Sequence, residues 1–466
     1  MSESRSEPTS EIPVALRRPS RLVVISAVGI VAVVLGLVVR LLTPVLFPPP
    51  DPEADLPEGV RLSDLSQGVS QPFMPVTEHL IEALRELLRE IGPVPQVFHV
   101  LAQGFQAFGK TDVGELLWKH CLELDTDFLP AYSALAELFA SRGEHDEAIK
   151  FYEKTISLDP DSPVFPAKLA CEYMAIGKVA ETVELLERYR PVFPSNVPIL
   201  AMLGQAYVQR KEYSAARNVL ERVIQLAPEY TNAYYGLAQA ATALGDRESA
   251  NRYLEVFQRL KKQDEQAHRD ELKTLDDLKS VRRRAAQLLS SIAAVYLAHN
   301  LPERAEKTLQ KALDFDEQDP AARELLAWLY HRQGRAGELE KMLGELSEES
   351  DRLDAQLLCG ALYTELGKFQ LAEKAYQSAL RLASHQPAIY RALAEVYLRS
   401  RANLIEARKL ALYAVDLEPS ETHLHLLATV CTLMGDSTTA QSAEIISAGM
   451  RENSSRLKAM ATAGTR

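Results

Sequence analysis

Between Leu129 and Ser162 the apolar positions fall into two runs at helical spacing, parted by a glycine. Tyr132, Leu135, Ala136 and Phe139 stand at i, i+3, i+4 and i+7, one face of a helix. After Gly143, Ala148, Tyr152, Thr155 and Ile156 repeat nearly the same spacing. Gly143 suits the left-handed residue that ends a helix, and Asp159-Pro160 closes the second run. The stretch predicts an αα-hairpin of 34 residues. Such a hairpin cannot bury its apolar face alone and requires neighbours.

The neighbours are present. Steps of 34 residues keep phase from Pro95 to Asp264 through five units. The inner pair of each first helix reads Leu101-Ala102, Leu135-Ala136, Leu169-Ala170, Leu203-Gly204 and Leu237-Ala238. The pattern resumes at Ala286 with Ile292-Ala293, Leu326-Ala327, Cys359-Gly360, Leu393-Ala394 and Leu427-Ala428. Gly109, Gly143, Gly177, Gly245, Gly334, Gly367 and Gly435 occupy the turn between helices, and Asn300 takes it once. Lys211 and Arg401 depart from the pattern there, and Leu339 stands where a small residue is expected. These residues resemble the tetratricopeptide repeat (TPR), with its Leu-Gly/Ala pair, turn glycine and closing proline. The resemblance covers roughly four-fifths of the chain.

Residues 1–20 are polar and mixed in charge, with three prolines, and predict a disordered cytoplasmic tail. Leu22 to Val39 then runs eighteen residues without a charge, followed by Arg40 and the apolar Leu41 to Phe47. At about 1.5 Å per residue such a stretch is long enough to cross a bilayer core of about 30 Å. Residues 21–47 are therefore expected to form a transmembrane anchor, with membrane contact through 22–42. A cleaved signal peptide fits less well, because its apolar region would be shorter and an A-x-A site would follow. Arg17, Arg18 and Arg21 before the span and acidic residues after it favour a cytoplasmic N-terminus. The expected localisation is single-pass in the inner (plasma) membrane, with the TPR domain extracytoplasmic.

Residues 48–74, with Pro48-Pro49-Pro50 and several acids, read as a stalk. Residues 75–264 read as a cap helix, Val76 to Ile91, and the first TPR array. Residues 265–285 alternate in charge sign and read as a helical linker, with a dimerising helix as the sharper alternative. Residues 286–450 form the second array and 451–466 a C-terminal tail or fraying extension. The expected fold class is all-α: a right-handed α-solenoid of about ten TPR helix-turn-helix units, preceded by a single transmembrane helix.

Composition narrows the function. With 47% hydrophobic and 25% charged residues the chain is too apolar for disorder. A net charge of −12 argues against nucleic acid, which needs a concentrated Lys/Arg footprint. Cys121, Cys171, Cys359 and Cys431 lie in four different units, so no internal disulfide is expected. No CxxC, paired His, HExxH, G-x-S-x-G or Walker A motif occurs. His268-Arg269-Asp270 imitates a kinase catalytic loop without the rest of that signature, and Asp314 to Asp319 lacks the glycine of a calcium loop. No enzyme activity, cofactor or metal is expected.

What the resemblance implies is a groove lined by the first helices of the units. Carried onto this chain, its positions are His99, Gln103, Gln106, Gln205, Gln209, Asn232, Tyr235 and Gln239 in the first array. This surface is polar and nearly uncharged, and amides that both donate and accept suit a peptide backbone. In the second array Trp328, His331 and Arg332 share a helix, either as an interface hot spot or with Trp328 packed on a neighbouring unit. The Lys/Asn/Arg clamp of chaperone-binding relatives is absent. The expectation is a membrane-anchored scaffold that docks peptide segments or protein partners to assemble a complex. The alternative is an accessory subunit of an envelope biogenesis machine for protein secretion or cytochrome maturation.

Overall fold

A computed structural model describes residues 51–273, 277–348 and 351–463. The chain divides into two compact units, residues 1–54 and 55–466, and the helices described below belong to the second. Helix α1 (Met74–Ile91) precedes a first array of five hairpins. These are α2 (Pro95–Ala107) with α3 (Thr111–Leu124), α4 (Leu129–Ser141) with α5 (His145–Leu158), and α6 (Val164–Ala175) with α7 (Val179–Tyr189). They continue with α8 (Val197–Gln209) and α9 (Tyr213–Leu226), then α10 (Thr231–Ala243) and α11 (Arg247–Lys273).

The second array opens with α12 (Asp277–Ala298) and α13 (Pro302–Phe315), followed by α14 (Pro320–Arg332) and α15 (Ala336–Glu348). Next come α16 (Leu353–Glu365) with α17 (Phe369–Leu382), and α18 (Pro387–Ser400) with α19 (Leu404–Leu417). Helices α20 (Glu421–Leu433) and α21 (Ser437–Ala463) end it.

Local sequence accounts for the hairpins. Proline in the first turn opens α2, α4, α8, α13, α14 and α18, where its missing N–H has no helical partner to lose. Asn196 caps α8 by accepting from the Ile199 N–H at 3.0 Å. Leu135, Ala136, Leu326, Ala327 and the other inner pairs are buried, and the apolar side chains from Val60 to Ala443 join in one core. Cys121, Cys359 and Cys431 are buried free thiols and Cys171 is exposed.

The turns adopt the left-handed backbone even where glycine is missing: φ is 62° at Lys211, 57° at Asn300 and 52° at Arg401. A Cβ in that region costs about 1–2 kcal/mol, more than the chain entropy glycine would add. Lys211→Gly is therefore expected to stabilise the protein by about 0.5–1 kcal/mol, read as a higher denaturation midpoint. An unchanged or lower midpoint would show that the lysine side chain compensates for its backbone.

The two arrays begin side by side. Helix α11 has 27 residues, about 40 Å, and α12 after it packs on α1 and α2 at the start of the first array. Gly104 of α2 makes this approach close: a Cβ there would meet Leu288 of α12 at 3.2 Å and Leu84 of α1 at 3.5 Å. Arg284 donates to the Ala107 carbonyl at 3.0 Å, and Arg304 pairs with Glu90. The arrays meet again farther along. Arg222 of α9 donates to the Leu417 carbonyl at the end of α19 at 2.9 Å, and the Ser195 hydroxyl donates to the same carbonyl. His385 Nε2 lies 4.0 Å from a Glu229 carboxylate oxygen.

The expectation of a transmembrane helix before the solenoid, with single-pass inner-membrane localisation, is corrected. Among the described residues no helix is long and apolar enough to cross a membrane. The long α11 fails on polarity, with charged residues spread along its whole length from Arg247 to Lys273. Residues 21–47, on which the expectation rested, lie outside the described residues. The fold stands as an all-α solenoid.

Candidate partner-binding groove

Helices α8 and α10 are the first helices of adjacent units, with α9 between them in the chain. Each carries a glycine where it faces Leu220 of α9. A Cβ on Gly204 would lie 2.4 Å from Leu220 Cδ2, and one on Gly236 would lie 2.7 Å from Cδ1. The two missing side chains let Leu220, 2% exposed, reach between the helices. Above it a cavity of about 340 Å³ remains, floored by Ala201, Met202, Val208, Leu220 and Ala233. Gln205, Gln209, Asn232, Tyr235 and Gln239 line the same cavity and are exposed. Five of the eleven residues predicted from the repeat positions are thus gathered around one cavity.

Tyr235 is 47% exposed, and its ring centroid lies 5.2 Å from that of Phe257 on α11. A second, more open cavity of about 490 Å³ adjoins, sharing Tyr230 and Asn232 with the first. Its walls add Glu229, Thr231, Phe257, Lys261 and Asp264. Thr231 donates to Asp264 at 2.8 Å, and the Lys261 ammonium stands 5.9 Å from the Phe257 ring centroid.

The other predicted residues lie elsewhere. His99, Gln103 and Gln106 stand on α2, three units from α8. His99 accepts from Trp118 Nε1 at 3.1 Å and meets the Phe128 ring edge-on. Burial pushes its imidazole down to about 4, so it stays neutral at physiological pH. Gln103 is half-buried and Gln106 exposed. In the second array Trp328 is half-buried and packs against the core, edge-on to His331 at 5.8 Å, while Arg332 is exposed. Among the described residues no group of three or more His, Cys, Asp or Glu is placed to hold a metal ion.

Sequence reasoning missed Met202, Leu220, Tyr230, Phe257 and Lys261. The signal for Leu220 was available in the glycine of Leu203-Gly204 together with Gly236, since two small residues on neighbouring first helices leave space for a third side chain. Phe257 and Lys261 had no such signal, because the pairing of α11 with α10 decides where they lie.

Models of the tetratricopeptide repeat match residues 131–164, 207–272, 291–338 and 353–386, each covering hairpins described above. The chain is a tetratricopeptide repeat protein. No curated protein matches it. Among solved structures this TPR chain is similar to MamA, at 19% identity over 35% of this chain and 96% of that one, with a TM-score of 0.33. A MamA from Desulfovibrio magneticus RS-1 matches at 18% identity over 36% and 95%, with a TM-score of 0.32. Yeast Tom70 matches at 16% identity over 80% and 95%, with a TM-score of 0.33.

Proposed function

We propose that this chain is a protein-interaction scaffold that docks extended segments of partner proteins in the groove between α8 and α10 and so assembles a complex. The observation that carries the reading is the cavity over Leu220, whose apolar floor is bordered by Gln205, Gln209, Asn232 and Gln239. Amides that donate and accept together match the alternating groups of an extended backbone. The apolar floor adds burial for a side chain, and Tyr235 beside Phe257 supplies a large, stiff contact surface. The site is built on helices rather than loops, so a partner meets a preformed surface and little ordering entropy is lost on the receptor side. Several units engaging one chain would multiply weak contacts into a stable assembly.

The test is photo-crosslinking of the full chain in its native host, with mass spectrometry of the captured proteins. Wild type is run beside a folded Gln205→Ala/Tyr235→Ala/Gln239→Ala variant. A defined partner set captured by wild type and lost from the triple variant is the expected result. Equal capture by both would move the docking site away from this groove.

A further inference from the structure

The two adjoining cavities differ in chemistry, and the difference describes the segment that fits them. We infer that the groove selects an extended peptide segment that sets one large apolar side chain over Leu220 and a lysine or arginine, a few residues away, beside Glu229 and Asp264. This rests on the docking reading above and names the chemistry of the partner.

Among the described residues, none that lines the first cavity bears a carboxylate, ammonium, guanidinium or imidazole. A charged side chain placed there would lose water and gain no opposite charge, which is costly for any ion. Its volume of about 340 Å³ lies at the small end of ligand pockets, room for one large side chain with adjacent backbone. Leu220 and Ala201 offer that side chain an apolar floor, and the exposed amides around them can donate to and accept from main-chain groups.

Among the described residues lining it, the second cavity bears two carboxylates, Glu229 and Asp264, and one ammonium, Lys261. Lys261 is drawn to the face of Phe257, and Asp264 is held by the Thr231 hydroxyl. The surplus charge is negative, so a cation is the complementary group. On the second array His385 Nε2 approaches the Glu229 carboxylate at 4.0 Å. A partner's lysine or arginine would take up the same carboxylate. Tyr230 and Asn232 belong to both cavities, so one continuous segment can occupy the two.

The experiment immobilises the full chain, incubates it with a randomised library of short, terminally capped peptides, and sequences the retained pool. Wild type is compared with Tyr235→Ala/Gln239→Ala and with Glu229→Gln/Asp264→Asn, all changes at exposed positions. The wild-type pool should be enriched in Leu, Met or Phe at one position and in Lys or Arg a few residues away. The first variant should lose the enrichment entirely. The second should keep the apolar preference while the basic preference falls about two- to fivefold, the range for exposed charge pairs. Enrichment in acidic or wholly polar peptides would overturn the inference, as would a basic preference that survives Glu229→Gln/Asp264→Asn. If no peptide is enriched while crosslinked partners still depend on Gln205, Tyr235 and Gln239, groove docking stands and this chemistry falls. If neither readout depends on the groove, both fall.

Discussion

Trp118→Ala is expected to destabilise the first unit by about 3–5 kcal/mol, the range for emptying a buried aromatic site. Trp118 is 1% exposed and lies in the core that joins α2, α3 and α4. Its indole N–H is satisfied by His99, so the change removes a large apolar volume and orphans the imidazole acceptor as well. In a solenoid each unit leans on its neighbours, so the loss should appear as early melting of the N-terminal units. Hydrogen exchange resolved along the chain would show protection lost first in α2 to α4. Trp118→Phe, which keeps most of the volume, should lose much less. The sequence has two tryptophans, so a Trp328→Phe background makes Trp118 fluorescence a reporter of this unit. A Trp118→Ala protein with wild-type protection in α2 to α4 would refute the assignment of Trp118 as their packing centre.

The second large effect is expected at Gly204. Leu220 is pinched between Gly204 and Gly236, with a Cβ on either glycine falling under 3 Å from it. A valine at 204 pushes Leu220 toward Gly236, where no space remains, or up into the cavity it floors. Overpacking of this kind costs about 1–3 kcal/mol, which exceeds the helix propensity that valine gains over glycine. Gly204→Val should therefore lower stability and abolish partner capture together. Adding Leu220→Ala empties the contested space, and the double variant should be more stable than the sum of the single losses predicts. Strict additivity of the two changes in a denaturant titration would mean that Gly204 and Leu220 do not share that space.

The hairpins were legible because each is specified by a few adjacent residues: an apolar helical stripe, a left-handed turn residue, a proline or cap. Even the departures at Lys211 and Arg401 kept the turn, since the two helices they join impose φ on whichever residue stands there. The candidate site was legible in part. Repeat position alone singled out Gln205, Gln209, Asn232, Tyr235 and Gln239 as groove residues, and the tertiary structure brings these five to one cavity. It also grouped with them His99, which is instead taken up by Trp118, because a position in the repeat does not report which neighbour a side chain finds. The apolar run at 22–39 suggested a span from hydropathy alone, a criterion that no described helix meets.

The amino-acid sequence by itself determined the repeat, its period, its turns and the inner residues of each unit. Those features depend on residues within one hairpin and its immediate neighbour, so their signature is local and recurs. Only the tertiary structure decided that α12 returns to α1 and α2, that Arg222 reaches the Leu417 carbonyl, and that His385 comes to Glu229. Small rotations from unit to unit add up along both arrays before such distant groups meet. A backbone carbonyl such as that of Leu417 carries no mark in the sequence of the partner it will find. The long α11 and the two glycines around Leu220 set where the arrays lie and where the groove opens, and both act through packing that no single repeat contains.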